Sequence, residues 1–140
     1  MDKLNVDLGL KDYELCEGCT VRFNPTDMEL LNKIMESFKE LEDEEEKRRN
    51  RIAEITDYKE MYNEYAEMDK LFREKINGLF GKDICTPLIG DMNIYARGNG
   101  LPIWANIIIA IVVEFDASIK EQDKLSKNRI DKYIKKYSKR

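Results

Sequence analysis

Residues 26–77 read TDMELLNKIMESFKELEDEEEKRRNRIAEITDYKEMYNEYAEMDKLFREKIN and contain neither glycine nor proline. Those two residues are the strongest local breakers of regular backbone, so their absence over 52 positions points to helix. Apolar side chains recur at helical spacing through Met28, Leu31, Ile34, Met35, Phe38 and Leu41. The pattern lapses over residues 42–51, EDEEEKRRNR, and resumes at Ile52 and Ile55. A second amphipathic run follows through Tyr58, Met61, Tyr62, Tyr65, Met68, Leu71, Phe72 and Ile76. One unbroken rod would be about 78 Å long at 1.5 Å per residue. A helical hairpin buries both apolar stripes more economically. The favoured corner is Thr56–Asp57, where Asp57 can cap a new helix with Glu60 three residues on. Residues 42–51 are the other candidate corner. Glu44 with Arg48 and Glu45 with Arg49 form four-apart pairs there, and this part of the helix is expected to be exposed on nearly every side.

The chain upstream of this stretch has a different period. Leu4, Val6 and Leu8 alternate with polar residues, then Tyr13 and Leu15, then Val21 and Phe23. With turns at Gly9 and Glu17-Gly18, this predicts a small antiparallel sheet over residues 3–23, resting on a helix. Asn24-Pro25-Thr26-Asp27 carries helix-start chemistry. Asn24 is the expected cap, Pro25 the first helical residue, and Thr26 with Glu29 an alternative capping box. Downstream, Asn77-Gly78 is expected to end the second helix. Residues 78–101 are rich in Gly, Asn and Asp but keep Leu88, Ile89, Met92, Ile94 and Tyr95, so they should form a packed loop with room for a short helical turn. A last helix is expected over residues 102–137. It is apolar nearly all round at first and basic later, with Ile130, Ile134 and Tyr137 available to dock it. The fold class is therefore α+β, mainly α, with an N-terminal β-hairpin packed on about three long helices in one domain.

Composition limits function. The 140 residues carry a net charge of −4, with 37% charged and 42% hydrophobic residues. That is too apolar for a disordered chain and too charged for a membrane protein. The most apolar run, Ile103 to Val113, falls short of the roughly 20 residues that span a bilayer. The start Met1-Asp2-Lys3 lacks an apolar signal segment, so the cytoplasm, with no membrane, is the expected location. There is no histidine, no Walker loop and no nucleophile elbow, so no catalytic residue is assigned and no enzyme is expected. Cys16 and Cys19 form a CxxC, but zinc needs two more ligands and only Cys85 remains. Two thiols flanking a hairpin turn is the preferred reading. No cofactor and no metal are expected.

What remains are surfaces. Tyr58, Met61, Tyr62, Tyr65 and Met68 form the candidate protein-contact face, because Met and Tyr suit adaptable interfaces. About half of them must also serve the core. Lys127, Arg129, Lys132, Lys135 and Lys136 form a candidate basic surface. Residues 1–77 carry 13 basic and 21 acidic residues, whereas residues 78–140 carry 11 and 7. Nucleic acid is disfavoured as a partner, since no nucleic-acid motif accompanies the basic tail and the domain is acidic overall.

Five short motifs follow in order: FNPTD (Phe23 to Asp27), INGLFG (Ile76 to Gly81), CTPLIGDMN (Cys85 to Asn93), GLPIW (Gly100 to Trp104) and RIDKYIKKY (Arg129 to Tyr137). Together they resemble a family of short proteins encoded in the tail-gene region of Gram-positive siphophages and prophages. Proteins in that position are commonly tail assembly chaperones, which coat the helical tape-measure protein before tail-tube subunits polymerise around it. The resemblance implies a non-enzymatic role in the host cytoplasm, with the tape-measure or tail-tube protein as partner and possible self-association. It supplies no particular contact residues. Two alternatives stand beside it. One is a small dimeric regulator with a basic C-terminal nucleic-acid-binding helix, and the other is a minor structural tail subunit.

Overall fold

The computed structural model describes residues 1–138, without the side chains of Tyr133, Tyr137 and Ser138. The chain is α+β and mainly helical. An antiparallel hairpin, β1 (Lys11–Cys16) and β2 (Cys19–Phe23), precedes two long helices, α1 (Met28–Ala53) and α2 (Tyr58–Phe80). A short helix α3 (Cys85–Ile89) and a minimal ladder, β3 (Arg97–Gly98) with β4 (Leu101–Pro102), lead into α4 (Ile103–Ser138).

In β2, Cys19, Val21 and Phe23 are buried while Thr20 and Arg22 face outward, as a strand with one covered face requires. The Tyr13 ring stacks on Phe23 at 4.8 Å, and Phe23 stacks on Phe115 of α4 at 5.5 Å. The Tyr13 hydroxyl donates to Glu114 at 3.0 Å. The hairpin thus lies on α4.

The sheet begins at Lys11, not at residue 3. Residues 1–10 carry no regular structure, and Leu4, Val6 and Leu8 are exposed despite their alternation. The backbone groups that would start a ladder are engaged elsewhere. The Gly9 N–H donates to the Asp7 carboxylate at 2.8 Å, and the Leu8 carbonyl accepts from the Asn24 side chain at 2.8 Å. Gly9 also takes a left-handed φ of 65°, which turns the chain.

The helix start is also displaced. Asn24 does not cap α1. Its side-chain oxygen accepts from the Thr26 N–H at 2.8 Å and its carbonyl accepts from the Asp27 N–H at 3.0 Å, so Asn24–Asp27 is a turn with Pro25 at its second position. Asp27 is the cap: its carboxylate accepts from the N–H groups of Glu29 (3.0 Å) and Leu30 (3.4 Å). A carboxylate at the cap also interacts favourably with the helix dipole.

The long stretch breaks after Ala53, and α2 begins after Asp57. Asp57 occupies the cap position with extended backbone, but its side chain makes no capping hydrogen bond. Helix α2 continues through Gly78 and ends at Phe80, where Gly81 turns left-handed at φ 66°. Gly78 is tolerated inside the helix because the glycine required for the left-handed exit is Gly81. Asn77 does not end the helix. Its side-chain oxygen holds the N–H groups of Ile84 (2.9 Å) and Cys85 (3.1 Å), which starts α3.

Three helices meet around Trp104. Its ring contacts Phe38 of α1 at 5.3 Å and Phe72 of α2 at 5.5 Å, and Ile34, Leu41, Ile76, Ile108 and Phe115 are buried in the same core cluster. The proximal part of α4 is the central core helix. From Lys120 onward, every α4 residue whose side chain is described is exposed. Ile130 and Ile134, expected to dock the helix end, are each 57% exposed, and the side chain of Tyr137 lies outside the described residues. The body ends before α4 does, so nothing is in reach for them to pack on. Among the described residues, no helix is long and apolar enough to cross a membrane.

Replacing Asp27 by Ala should lower unfolding stability by about 1 kcal/mol, the usual worth of an N-cap. Urea denaturation followed by circular dichroism measures it. A loss at Asp27→Ala within error of zero would remove Asp27 as the cap.

Candidate protein-contact surface

The five residues of the predicted contact face divide between core and surface. Met68 is buried and Met61 is half-buried, so both serve the interior. Tyr58, Tyr62 and Tyr65 are 82%, 62% and 36% exposed. Their spacing, i, i+4 and i+7, aligns them on one face of α2. Sequence alone cannot separate them from the methionines, because Met61 and Met68 lie one helical step round and share the same apolar stripe.

This tyrosine stripe has a rigid base. The Tyr65 ring lies edge-on to Tyr95 at 6.4 Å, and its carbonyl accepts from the Asn93 side chain at 3.3 Å. The Tyr95 ring in turn packs on Phe72 at 4.6 Å. The loop carrying Asn93 and Tyr95 is clamped by two α2 residues four apart. Asp69 accepts from the Ile94 N–H at 2.7 Å and from Arg73 at 2.9 Å. Arg73 donates on to the carbonyls of Gly90 (2.8 Å) and Met92 (2.7 Å). This clamp, which the sequence reading does not single out, explains why residues 78–101 pack rather than float. The Asp69–Arg73 spacing is the available signal.

The charged lapse in α1 supports the same end of the stripe, beside Tyr65. It is not exposed on nearly every side: Glu44, Glu45 and Arg48 are half-buried. Arg48 crosses to α2, donating to Glu64 at 2.7 Å, to Glu67 at 3.3 Å and to its own-helix Glu44 at 3.0 Å. Arg51 adds a contact to Glu64 at 3.2 Å. Hydrogen bonding to Glu64 is the main reason that the Arg48 guanidinium is held charged beyond the ordinary arginine range. The network joins α1 and α2 near the corner and fixes the turns of α2 that carry Tyr62 and Tyr65. The Glu44–Arg48 pair is legible in the sequence, but its bridge to Glu64 depends on the hairpin.

Among the described residues, two buried polar atoms lack a protein partner, the Tyr95 hydroxyl and the Trp104 indole N–H. Burial, the leading cause, pushes the Tyr95 hydroxyl far above its usual range, with Glu45 and Glu44 nearby adding to it.

The thiols flank the Glu17-Gly18 turn as a register pair, Cys16 opposite Cys19. They donate to α3 and its cap: Cys16 to the Pro87 carbonyl at 3.3 Å and Cys19 to that of Ile84 at 3.9 Å. Burial raises Cys16 and pushes Cys85 up to about 11, so both stay protonated near neutrality and are poor nucleophiles. Among the described residues, no three His, Cys, Asp or Glu side chains are grouped to hold a metal ion.

The five basic residues of the tail all lie on distal α4 and are exposed. By helical phase, Arg129, Lys132 and Lys136 share one face with Leu125, whereas Lys127 and Lys135 point to other sides. A cleft of about 650 Å³ lies between the arm at residues 7–11, the turn at 24–26, and Gln122, Leu125, Ser126 and Arg129 of α4.

The chain matches no family model, no curated protein and no solved structure.

Two substitutions probe the clamped loop. Arg73→Lys should cost about 1.5–3 kcal/mol in urea unfolding, because a single ammonium cannot replace a planar fork serving a carboxylate and two carbonyls. Tyr95→Phe should be at least as stable as the parent, by up to about 1 kcal/mol, because it removes a buried hydroxyl with no protein partner. A clear destabilisation by Tyr95→Phe would show that the hydroxyl is satisfied.

Proposed function

We propose that this is a non-enzymatic binding protein whose exposed tyrosine stripe, Tyr58–Tyr62–Tyr65, receives an amphipathic helix of a protein partner. The observation that carries the proposal is this stripe: three aromatic side chains on one face of a helix, held at its Tyr65 end by both the Arg48 network and Tyr95. Tyrosine supplies a large contact area and a polar tip while ordering few torsions, so it suits interfaces. A rigid aromatic face also fits helix-in-groove recognition, where anchors repeat at i, i+4 and i+7.

The motif resemblance narrows the partner. It suggests a phage or prophage tail assembly chaperone acting in the bacterial cytoplasm, with the tape-measure protein as client. A tape-measure protein presents long amphipathic helices that need apolar cover until the tube forms. A partly exposed aromatic surface offers that cover reversibly.

Co-expression with a siphophage tape-measure protein, followed by affinity capture, tests this directly. The expected result is co-purification. Tyr58→Ala combined with Tyr62→Ala should weaken it at least about tenfold, the scale of interface anchors. Thermal stability should stay unchanged, because both side chains are largely exposed. Recovery of the free protein alone would reject the client, and full binding by the double variant would reject the stripe.

A further inference from the structure

The rings that pack α1 against α4 also give the direction of each helix. Phe23, just before α1, stacks on Phe115, while Phe38, further along α1, meets Trp104. Advancing along α1 therefore means retreating along α4, and the two run antiparallel. Each overshoots the other at one end. Distal α4 continues past the start of α1, and α1 beyond Leu41 continues past the start of α4.

Distal α4 is basic, and α1 is acidic where it first passes Leu41. Residues 119–138 hold seven Lys and Arg against three carboxylates. Just past Leu41, residues 42–46 are all carboxylates, whereas residues 47–53 hold four Lys and Arg. Both helices also present an apolar anchor and unpaired charges on one face. On α4 the face is Leu125, Arg129, Lys132 and Lys136. On α1 it is Met35, Lys39, Glu42 and Glu46, with Asp43 at its border. Both follow i, i+4, i+7, i+11, and Met35 and Leu125 are exposed. Among the described residues, Glu42, Asp43, Glu46, Arg129, Lys132 and Lys136 have no ion-pair partner.

We propose that the basic face of distal α4 docks on the acidic outer face of α1 in a second copy of this chain. The complement to the basic face is present on the molecule itself, at its opposite pole. Nucleic acid fits less well, because the first 77 residues, with 13 basic and 21 acidic side chains, would repel it. A tail-to-body contact is heterologous: each copy uses a different surface from its partner, so it propagates into rings or open chains rather than closing as a two-fold dimer. The interface is small and charged, which makes it weak, reversible and salt-sensitive. It leaves the tyrosine stripe uncovered and does not depend on the proposed client.

Sedimentation velocity of the full chain tests the proposal. Species larger than monomer should grow with protein concentration at about 50 mM salt and disappear at about 500 mM salt, where screening is nearly complete at contact range. A tail reversal, R129E with K132E and K136E, should be monomeric at low salt, as should a body reversal, E42K with D43K and E46K. Mixing the two reversals should restore association, since each then offers the complement of the other. The substituted side chains are exposed, and circular dichroism of each variant confirms folding. A parent that stays monomeric at both salt levels overturns the proposal. So does failure of the mixed, folded reversals to associate, or a low-salt gel shift on duplex DNA by a parent that does not self-associate.

Discussion

The packing of Trp104 between Phe38 and Phe72 is the contact on which the other elements depend. It joins α4 to α1 and α2 at one point. Burying an indole removes about 150–250 Å² from water, worth roughly 4–6 kcal/mol before entropy is counted. An unpartnered N–H costs about 1–3 kcal/mol. Area therefore outweighs the polar penalty, and the ring stays buried with its nitrogen unpaired by protein. The approach of α4 to this point is set by the β3–β4 ladder. Its turn needs left-handed backbone at Asn99 (φ 56°) and Gly100 (φ 79°), residues suited to it.

Much of this plan is visible in the residues. Helical period, strand alternation and the absence of breakers identify the hairpin, the two long helices and the buried start of α4. Asp57 marks the corner. Errors fall where several side chains compete for the same backbone groups. Asn24, Thr26 and Asp27 are all competent caps, and the choice among them rests on Asn24 also reaching Leu8. Residues 4–8 alternate like a strand, but the hydrogen bonds at Gly9 and Leu8 take that backbone away from the ladder.

The surfaces are harder to read for a related reason. A helical stripe tells which residues share a face, not how far the neighbouring element extends to cover it. Met68 falls under that cover and Tyr62 beyond it, although both belong to one amphipathic run. The charged lapse misleads in the opposite direction. Residues of a type that favours solvent become a bridge between helices, because Glu64 lies across the corner from Arg48. Pairing of this kind depends on the fold, and composition does not record it.

Helix α4 is one continuous element under two thermodynamic regimes. Its first half shares the cooperative melting of the core, since losing it would expose Trp104, Ile108 and Phe115 together. Its second half is held mainly by its own backbone hydrogen bonds, local side-chain pairs and intrinsic propensity, which is marginal for about 20 residues in water. Amide protection should therefore decay along the helix, from global unfolding energies near Trp104 to local fraying near its end. Whatever the distal half meets, part of the binding free energy goes into completing the helix. Contact there is consequently tuned toward fast release rather than permanence.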